Sequence, residues 1–458
     1  MKILSTYPVR IKQNTSAFTD SADVYRAAVD FFIHVTDGEW SVVSTKERLQ
    51  ERQGIVESLT VRTAKRPFVP YCFEAADTRF YKMPSYLRRA AINEAIGKVS
   101  SYRSNLANWE AADIKTRGRK PGYPTAGYTY PCYYRDNMYL PGKSTYTAKL
   151  KVFIRNTWDW IEVELRKSDV DYINHHCVPF SIGEDAMKSR RICAPTLQKR
   201  HKKWYLDFQV EENVTLGNVP VKGQTIVAVD LGINNACTCC VMTPDGTVVG
   251  REFLSLPAEN DSLGHAINRI KKAQQHGAYK TPRLWAFAKG MNDRIAVRTA
   301  QFIVDTAVMY NADAIVMKRL DTGGKKRGSK KQRLHLWKSQ YVQAMVEHKA
   351  HRNGIRISRV CAWNTSRLAF DGSGRVLRGK KSERTGGNYS ICEFSTGKIY
   401  NCDLNASYNI GARYFVREIY KALTEKTRLL LEAKVPSACM RSTCTLSTLI
   451  SLNAVLAA

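Results

Sequence analysis

Two aspartates stand where a carboxylate could do chemistry. Asp230 closes the apolar run TIVAVDLGI just before Gly232. An ionised carboxylate at the end of a buried strand is costly unless something positive meets it. A metal ion would meet it; the backbone amides of a turn are the structural alternative. Asp403 lies in NCDLNASYNIGARYFVREI, where a short polar turn opens a helical pattern, with Asn405, Ala406 and Asn409 within the next two helical turns. Two carboxylates brought together can hold a pair of divalent ions, one activating water and the other steadying a leaving oxygen. That is the chemistry of phosphodiester hydrolysis.

Something must bring residues 230 and 403 together. The strand ending at Asp230 is followed by ACTCCVMTPDG and TVVGREFL, which reads as a meander of three antiparallel strands. A helical stretch over about 260–310 comes next, then the buried strand NADAIVMKRLD, a helix over about 335–351, and the strand IRISRVCAW. Three antiparallel strands followed by helices alternating with strands is the order of an RNase-H-like fold. The first half reads differently. Residues 1–35 mix polar and β-favouring residues, and WSVVS adds a candidate strand within 36–50. Residues 82–112 recur at helical spacing. TAKLKVFIRN, WDWIEVELRK and KKWYLDFQVEENV alternate as half-buried strands. The expectation is a multidomain α/β protein, with an RNase-H-like half preceded by a β-rich module that carries a helical insert.

The charge balance indicates the partner. Lys and Arg number 71 against 41 Asp and Glu, an excess of 30. Such a surface attracts polyanions and binds them by releasing counterions. No run is long and apolar enough to span a bilayer, and the opening MKILSTYPVRI is not a secretory signal. A membrane partner is therefore not expected, and a cytoplasmic, nucleoid-associated protein is. Basic residues gather at three places. Arg117, Arg119 and Lys120 precede the tyrosine-rich stretch Tyr123 to Tyr139, where aromatics could either stack on bases or pack on a sheet. Arg190, Arg191, Lys199 and Arg200 surround a strand and suit a phosphate-tracking groove. Lys325, Lys326, Arg327, Lys330, Lys331 and Arg333 form a tract after Asp321.

Three segments resemble the RuvC-like nuclease family that includes the transposon-encoded RNA-guided nuclease TnpB and the type V CRISPR effectors of the Cas12 family. They are AVDLGINNACTCCVMTPDGTVVGREF, DAIVMKRLD with the following GGKKRGSKKQRLHLWK, and NCDLNASYNIGARYF. The resemblance covers about residues 222–418 and implies catalytic, Mg²⁺-binding aspartates at Asp230 and Asp403. It also implies guide RNA and target double-stranded DNA as partners, with a wedge domain at 1–35 and 116–218 and a recognition domain at 36–115. The RuvC-like domain would then occupy 222–335, 336–360 and 403–435, interrupted by a target-nucleic-acid-binding insert at 361–402. A flexible tail is expected at 436–458.

Two departures from the family pattern bear on function. Where the family has a catalytic glutamate, this chain has Lys318, whose charge repels a cation and can pair with the aspartates instead. Asp321 is a candidate substitute carboxylate and Glu347 a weaker one. Where many relatives carry four zinc-binding cysteines, the span has only Cys361, Cys392 and Cys402. Thr365 and Ser366 are poor zinc ligands, and a hairpin held by Trp363, Phe370, Tyr389 and Phe394 would take the place of the metal. Three outcomes remain open on the residues. Guided binding with lost or weakened cleavage is the first, and an active Mg²⁺-dependent endonuclease is the second. A guide-independent DNA-binding accessory of transposition is the third. Structural zinc is not expected. Dialysis against a chelator should therefore leave the thermal unfolding midpoint unchanged, and near-stoichiometric zinc by elemental analysis would overturn this.

Overall fold

In the computed structural model, residues 1–114, 117–134, 136–177, 190–232, 235–278, 280–320, 337–440 and 442–457 are described. They divide into two units, residues 2–213 and residues 214–458 together with Met1.

The first unit begins with strand β1 (Lys2–Arg10) and turns at once into helix α1 (Ser16–Gly38). Thr15 caps that helix, its side chain accepting a hydrogen bond from the Ala17 amide. Phe18, Ala22, Tyr25, Val29 and Phe32 recur at helical spacing and are buried. They meet Leu87, Ala91, Ile92, Ala95 and Val99 of α3 (Ser85–Ala111), with α2 (Leu49–Thr60) alongside α3. The strands follow. β2 (Tyr139–Pro141), β3 (Thr147–Ile154) and β4 (Thr157–Glu164) form one antiparallel sheet. After α4 (Lys167–Cys177), β5 (Arg190–Ile192) and β6 (Thr196–Arg200) pair with the long β7 (Lys203–Asn213), whose other edge takes β1. An Ile11–Leu165 bridge joins the two sheets. Helices and strands share one core around Phe18, Trp204, Leu206 and Leu150.

The second unit is built on a five-stranded sheet. β8 (Ile226–Leu231), β9 (Cys237–Met242) and β10 (Val248–Leu254) run antiparallel as a meander. Helices α5 (Pro257–Gln275) and α6 (Pro282–Met309) follow. β11 (Ala314–Lys318) then lies parallel to β8, α7 (Ser339–Arg352) crosses over, and β12 (Arg356–Val360) adds the edge. The resulting order β10-β9-β8-β11-β12 is that of an RNase-H-like fold. β8 is buried along its whole length, so its residues alternate between two cores. Val227 and Val229 face a cluster containing Ala296 and Ile303 of α6 and Val342 and Val346 of α7. Ile226 and Ala228 face helix α8 (Cys402–Ala422). A small sheet of β13 (Leu377–Arg378), β14 (Ile391–Glu393) and β15 (Ile399–Asn401) leads into α8.

Three expectations change. Residues 16–38 are helical although they were grouped with a β-rich opening, and Trp40–Val43 is a short helix rather than a strand. The apolar spacing of α1 and its Thr15 cap outweigh the β-favouring Val, Phe and Ile within it. The expected domain border at 35–36 also falls inside that helix. Third, the segment from 436 is not a loose tail. After α9 (Glu425–Lys434), α10 (Leu446–Ala457) packs on α8, with Leu449 and Leu452 fully buried. A short apolar helix without charges resembles a weakly ordered tail in composition, and the α8 surface gives it a core.

Arg413 of α8 secures that arrangement. Its guanidinium is buried and donates to the carbonyls of Cys361 and Trp363 on one side and of Ser442 and Cys444 on the other, at 2.7–3.0 Å. Buried carbonyls left without donors are expensive. Arg413→Met should therefore destabilise the second unit by about 3 kcal/mol, and Leu449→Ala by about 2–5 kcal/mol. Chemical denaturation of both variants checks this.

Candidate functional site

The site lies on the α8 side of the sheet, where the ends of two parallel strands meet a helix start. Parallel pairing sets Ala314 beside Ile226 and Met317 beside Val229, which brings Lys318 next to Asp230. Both are even-numbered members of their strands and face α8, as Ala228 and Val316 do. Lys318 Nζ forms an ion pair with an Asp230 carboxylate oxygen; Asp230 is buried and Lys318 largely so. Burial pushes the Asp230 carboxyl above its ordinary value; the Lys318 cation opposes this, Asp403 reinforces it and Arg378 opposes it again. Thr238 stands directly across from Asp230 on β9, fully buried, and its hydroxyl has no hydrogen-bond partner among the described residues.

Asp403 occupies the first turn of α8. The Asn401 side chain caps that helix, accepting from the amides of Asp403 at 3.0 Å and Leu404 at 2.9 Å. Asn235 Nδ2 donates to the Asp403 carboxylate at 3.2 Å. The loop carrying Asn235 passes so close that a Cβ on Gly232 would lie 2.5 Å from the Asn235 carbonyl, so glycine is required there. Two buried asparagines hold the neighbouring loop against α8. Asn405 accepts from the Phe370 amide and donates to the Leu368 carbonyl, while Asn409 donates to the carbonyls of Thr365 and Leu368. Sequence reasoning noted these asparagines only as neighbours of Asp403. Their i, i+4 spacing on an otherwise apolar helix face was the signal. It missed Arg378, Asn235 and Thr238, which come close only through the fold.

The other candidates separate clearly. Glu347 sits on α7, which packs against the opposite face of the sheet, and pairs with Arg359 of β12 at 2.6 Å. It does not approach Asp230, which corrects its standing as a substitute ligand. The strand end is held from that face by Gln343, whose amide donates to the Lys318 carbonyl at 3.0 Å. Asp321, Lys325, Lys326, Arg327, Lys330, Lys331 and Arg333 lie outside the described residues. Arg200 is occupied by the buried Asp207, and Lys199 lies over the Trp204 ring at 5.1 Å. Arg117 stacks on Trp109 at 4.3 Å, whereas Arg119, Lys120 and Arg191 are exposed. Arg190 begins β5.

In the span 361–402, Cys392 and Cys402 are buried together with Phe394, and Cys361 is exposed. Phe370 packs edge-on against Phe394 and Tyr400, and the exposed Tyr389 lays its ring against Gly379 beside β13, whereas Trp363 is 66% exposed. Among the described residues no group of three or more His, Cys, Asp or Glu side chains could hold a metal ion. Cys237 and Cys240 have the spacing of a metal pair, yet on an extended strand they face opposite cores. Among the described residues no helix is long and apolar enough to cross a membrane.

Two family models match parts of this chain. Residues 340–410, covering α7, β12, the small sheet and the start of α8, match the Cas12f1-like TNB domain. Residues 5–154 match the Aq_aa04 family. The uncharacterized protein aq_aa04 of Aquifex aeolicus (strain VF5) is 33% identical over 113 residues, 22% of this chain and 62% of the relative. Among solved structures, a Cas12f1–sgRNA–target DNA complex is 14% identical, with 89% of this chain and 98% of that one covered and a TM-score of 0.33. CasPhi-2 (Cas12j) bound to crRNA is 11% identical, covering 89% and 97%, with a TM-score of 0.43. With scores this low, the fold rests on the strand order of the sheet itself.

The Lys318–Asp230 pair has a measurable consequence for stability. Lys318→Met leaves a buried carboxylate without its cation, a loss of about 3 kcal/mol near neutral pH. Asp230 is then held still further above its ordinary value. The folded chain keeps a proton that the unfolded chain has released, so stability is intact below the ordinary carboxylate range and falls as pH rises through it. Wild type and variant should converge in thermal melts at acid pH and diverge toward neutral. A pH-independent gap would contradict the pairing.

Proposed function

We propose that this chain binds DNA under the direction of a guide RNA and holds its target without cutting it. The ion pair between Lys318 and Asp230 carries the second half of that reading. Two-ion hydrolysis needs several anionic ligands around cations of charge two. Here an ammonium lies on the first carboxylate, at the corner where the family has a glutamate. It supplies positive charge that needs no metal, and it repels one that approaches. The residues present therefore do not suit a pair of Mg²⁺ ions, and no cleavage step is assigned to them.

The first half rests on three supports. The excess of 30 positive charges suits a polyanion. The motifs around Asp230, Lys318 and Asp403 occur in the order of RNA-guided nucleases. Residues 340–410 match the TNB domain model. In such proteins base pairing by the guide reads the sequence, and the protein grips the hybrid through its backbone. Bound DNA would then be blocked to other proteins.

The test uses the protein purified from its native host. Sequencing of the co-purified RNA should return one discrete, structured species, and the complex should retain a matched duplex in a gel shift. With Mg²⁺ or Mn²⁺ the duplex should remain intact. Metal-dependent cutting that disappears on Asp230→Ala would overturn the non-cutting reading. Random cellular RNA, with DNA affinity unchanged by ribonuclease, would overturn guidance and favour a guide-independent DNA-binding protein. Lys318→Glu should create Mn²⁺ binding detectable by calorimetry on the protein alone.

A further inference from the structure

The first unit contains an open cavity of about 580 Å³ that the reading above does not use. Tyr86, Tyr134, Asn137, Arg191, Ile192 and Cys193 line it, with Ala194 at one edge. Among the described residues no lining side chain is acidic. Each wall has a local reason. Pro84 enters α3 in an extended conformation, so Tyr86 sits in the first turn and projects with 41% of its surface exposed. In the tyrosine-rich stretch, Tyr133 is fully buried and the next residue turns the other way, which brings Tyr134 to the cavity. The Met138 and Tyr139 amides both donate to the Tyr134 carbonyl and hold the turn that carries Asn137. Ladder pairing of β5 with Glu211 of β7 sets the backbone of Arg191, and the Glu211 carboxylate, itself paired with Lys2, lies within electrostatic reach of the guanidinium.

The two tyrosine rings lie 5.6 Å apart between centroids and are inclined at 38°. They are tilted and in contact, and Tyr86 remains 41% exposed while Tyr134 is half-buried, so the pair offers aromatic surface at the mouth of the cavity. A large aromatic surface left in water beside a guanidinium suits a flat, aromatic, anionic ligand. An unstacked nucleotide fits that description, since its base can lie on a ring and its phosphate can meet an arginine. The volume falls within the range of about 300–1,000 Å³ typical of small-ligand sites.

We propose that this cavity takes one unpaired nucleobase of a single strand, stacked on the Tyr86–Tyr134 platform with its phosphate against Arg191. This rests on the nucleic-acid reading above and adds a point where a base, and not only the backbone, is gripped. Base and phosphate chemistry is common to RNA and DNA, so the probes separate them.

The full chain, freed of bound nucleic acid, is titrated by fluorescence anisotropy with oligothymidylate, oligouridylate and an abasic strand of equal length. Wild type should prefer the base-bearing strands by about tenfold, the size of one stacking contact. Tyr86→Ala should remove that preference and leave abasic binding unchanged, and Tyr86→Trp should keep it. Arg191→Ala should weaken all three strands. Preference for oligouridylate assigns the site to RNA, and for oligothymidylate to DNA. Equal wild-type affinity for abasic and base-bearing strands overturns the site while leaving nucleic-acid binding intact, as does equal weakening of both by Tyr86→Ala. Failure of every strand to bind overturns the underlying reading as well.

Discussion

The second unit depends on a strand that has no exposed face. β8 is buried on both sides, so each of its residues must serve one of two cores, and the pairing with β9 and β11 admits no slip. A shift of one residue would turn Asp230 into the α6–α7 core and send Val229 to α8. Fixed register is what makes the site: Asp230, Lys318 and the start of α8 share a face because the alternation on neighbouring strands is locked together. The same constraint removes Glu347, whose helix covers the other face.

The ion pair belongs to this setting. A lysine beside an aspartate at a surface would contribute little. At the buried end of β8 each group is costly alone, and together they offset part of that cost. The asparagines at 401, 405 and 409 then act in concert. One caps the helix that presents Asp403, and the other two tie the loop at 365–370 to its flank. The polar groups around the site are thus mostly engaged in holding the scaffold.

The sequence made the second unit largely legible. The meander, the two parallel strands and the helices between them each had a clear period and a turn between them, and Asp230 marked a strand end. Lys318 is placed at the site only by its position in a motif resembling the RuvC-like family; that it lies beside Asp230 comes from the parallel register of β8 and β11. Partners that meet across the fold were not legible. Arg378 precedes Asp403 by an entire hairpin, Thr238 comes opposite Asp230 only through antiparallel register, and Asn235 is set by a loop. In the first half, composition misled: β-favouring residues within Ser16–Gly38 concealed a helical repeat. Basic residues were read as one class, although Arg200 and Arg117 are occupied by Asp207 and Trp109 within the fold.

Arg413 links residues 361–363 to residues 442–444 through one buried guanidinium, and α10 then covers the apolar flank of α8. This has a consequence for synthesis. The sheet needs nothing beyond β12, and α8 covers one of its faces, but the flank of α8 itself stays incompletely covered until Leu449 and Leu452 have been made. For that interval the unit exposes the flank of the helix that bears Asp403. A chain truncated before residue 442 would lack two of the carbonyls that Arg413 meets and would leave part of the α8 core uncovered, open to chaperones and proteases.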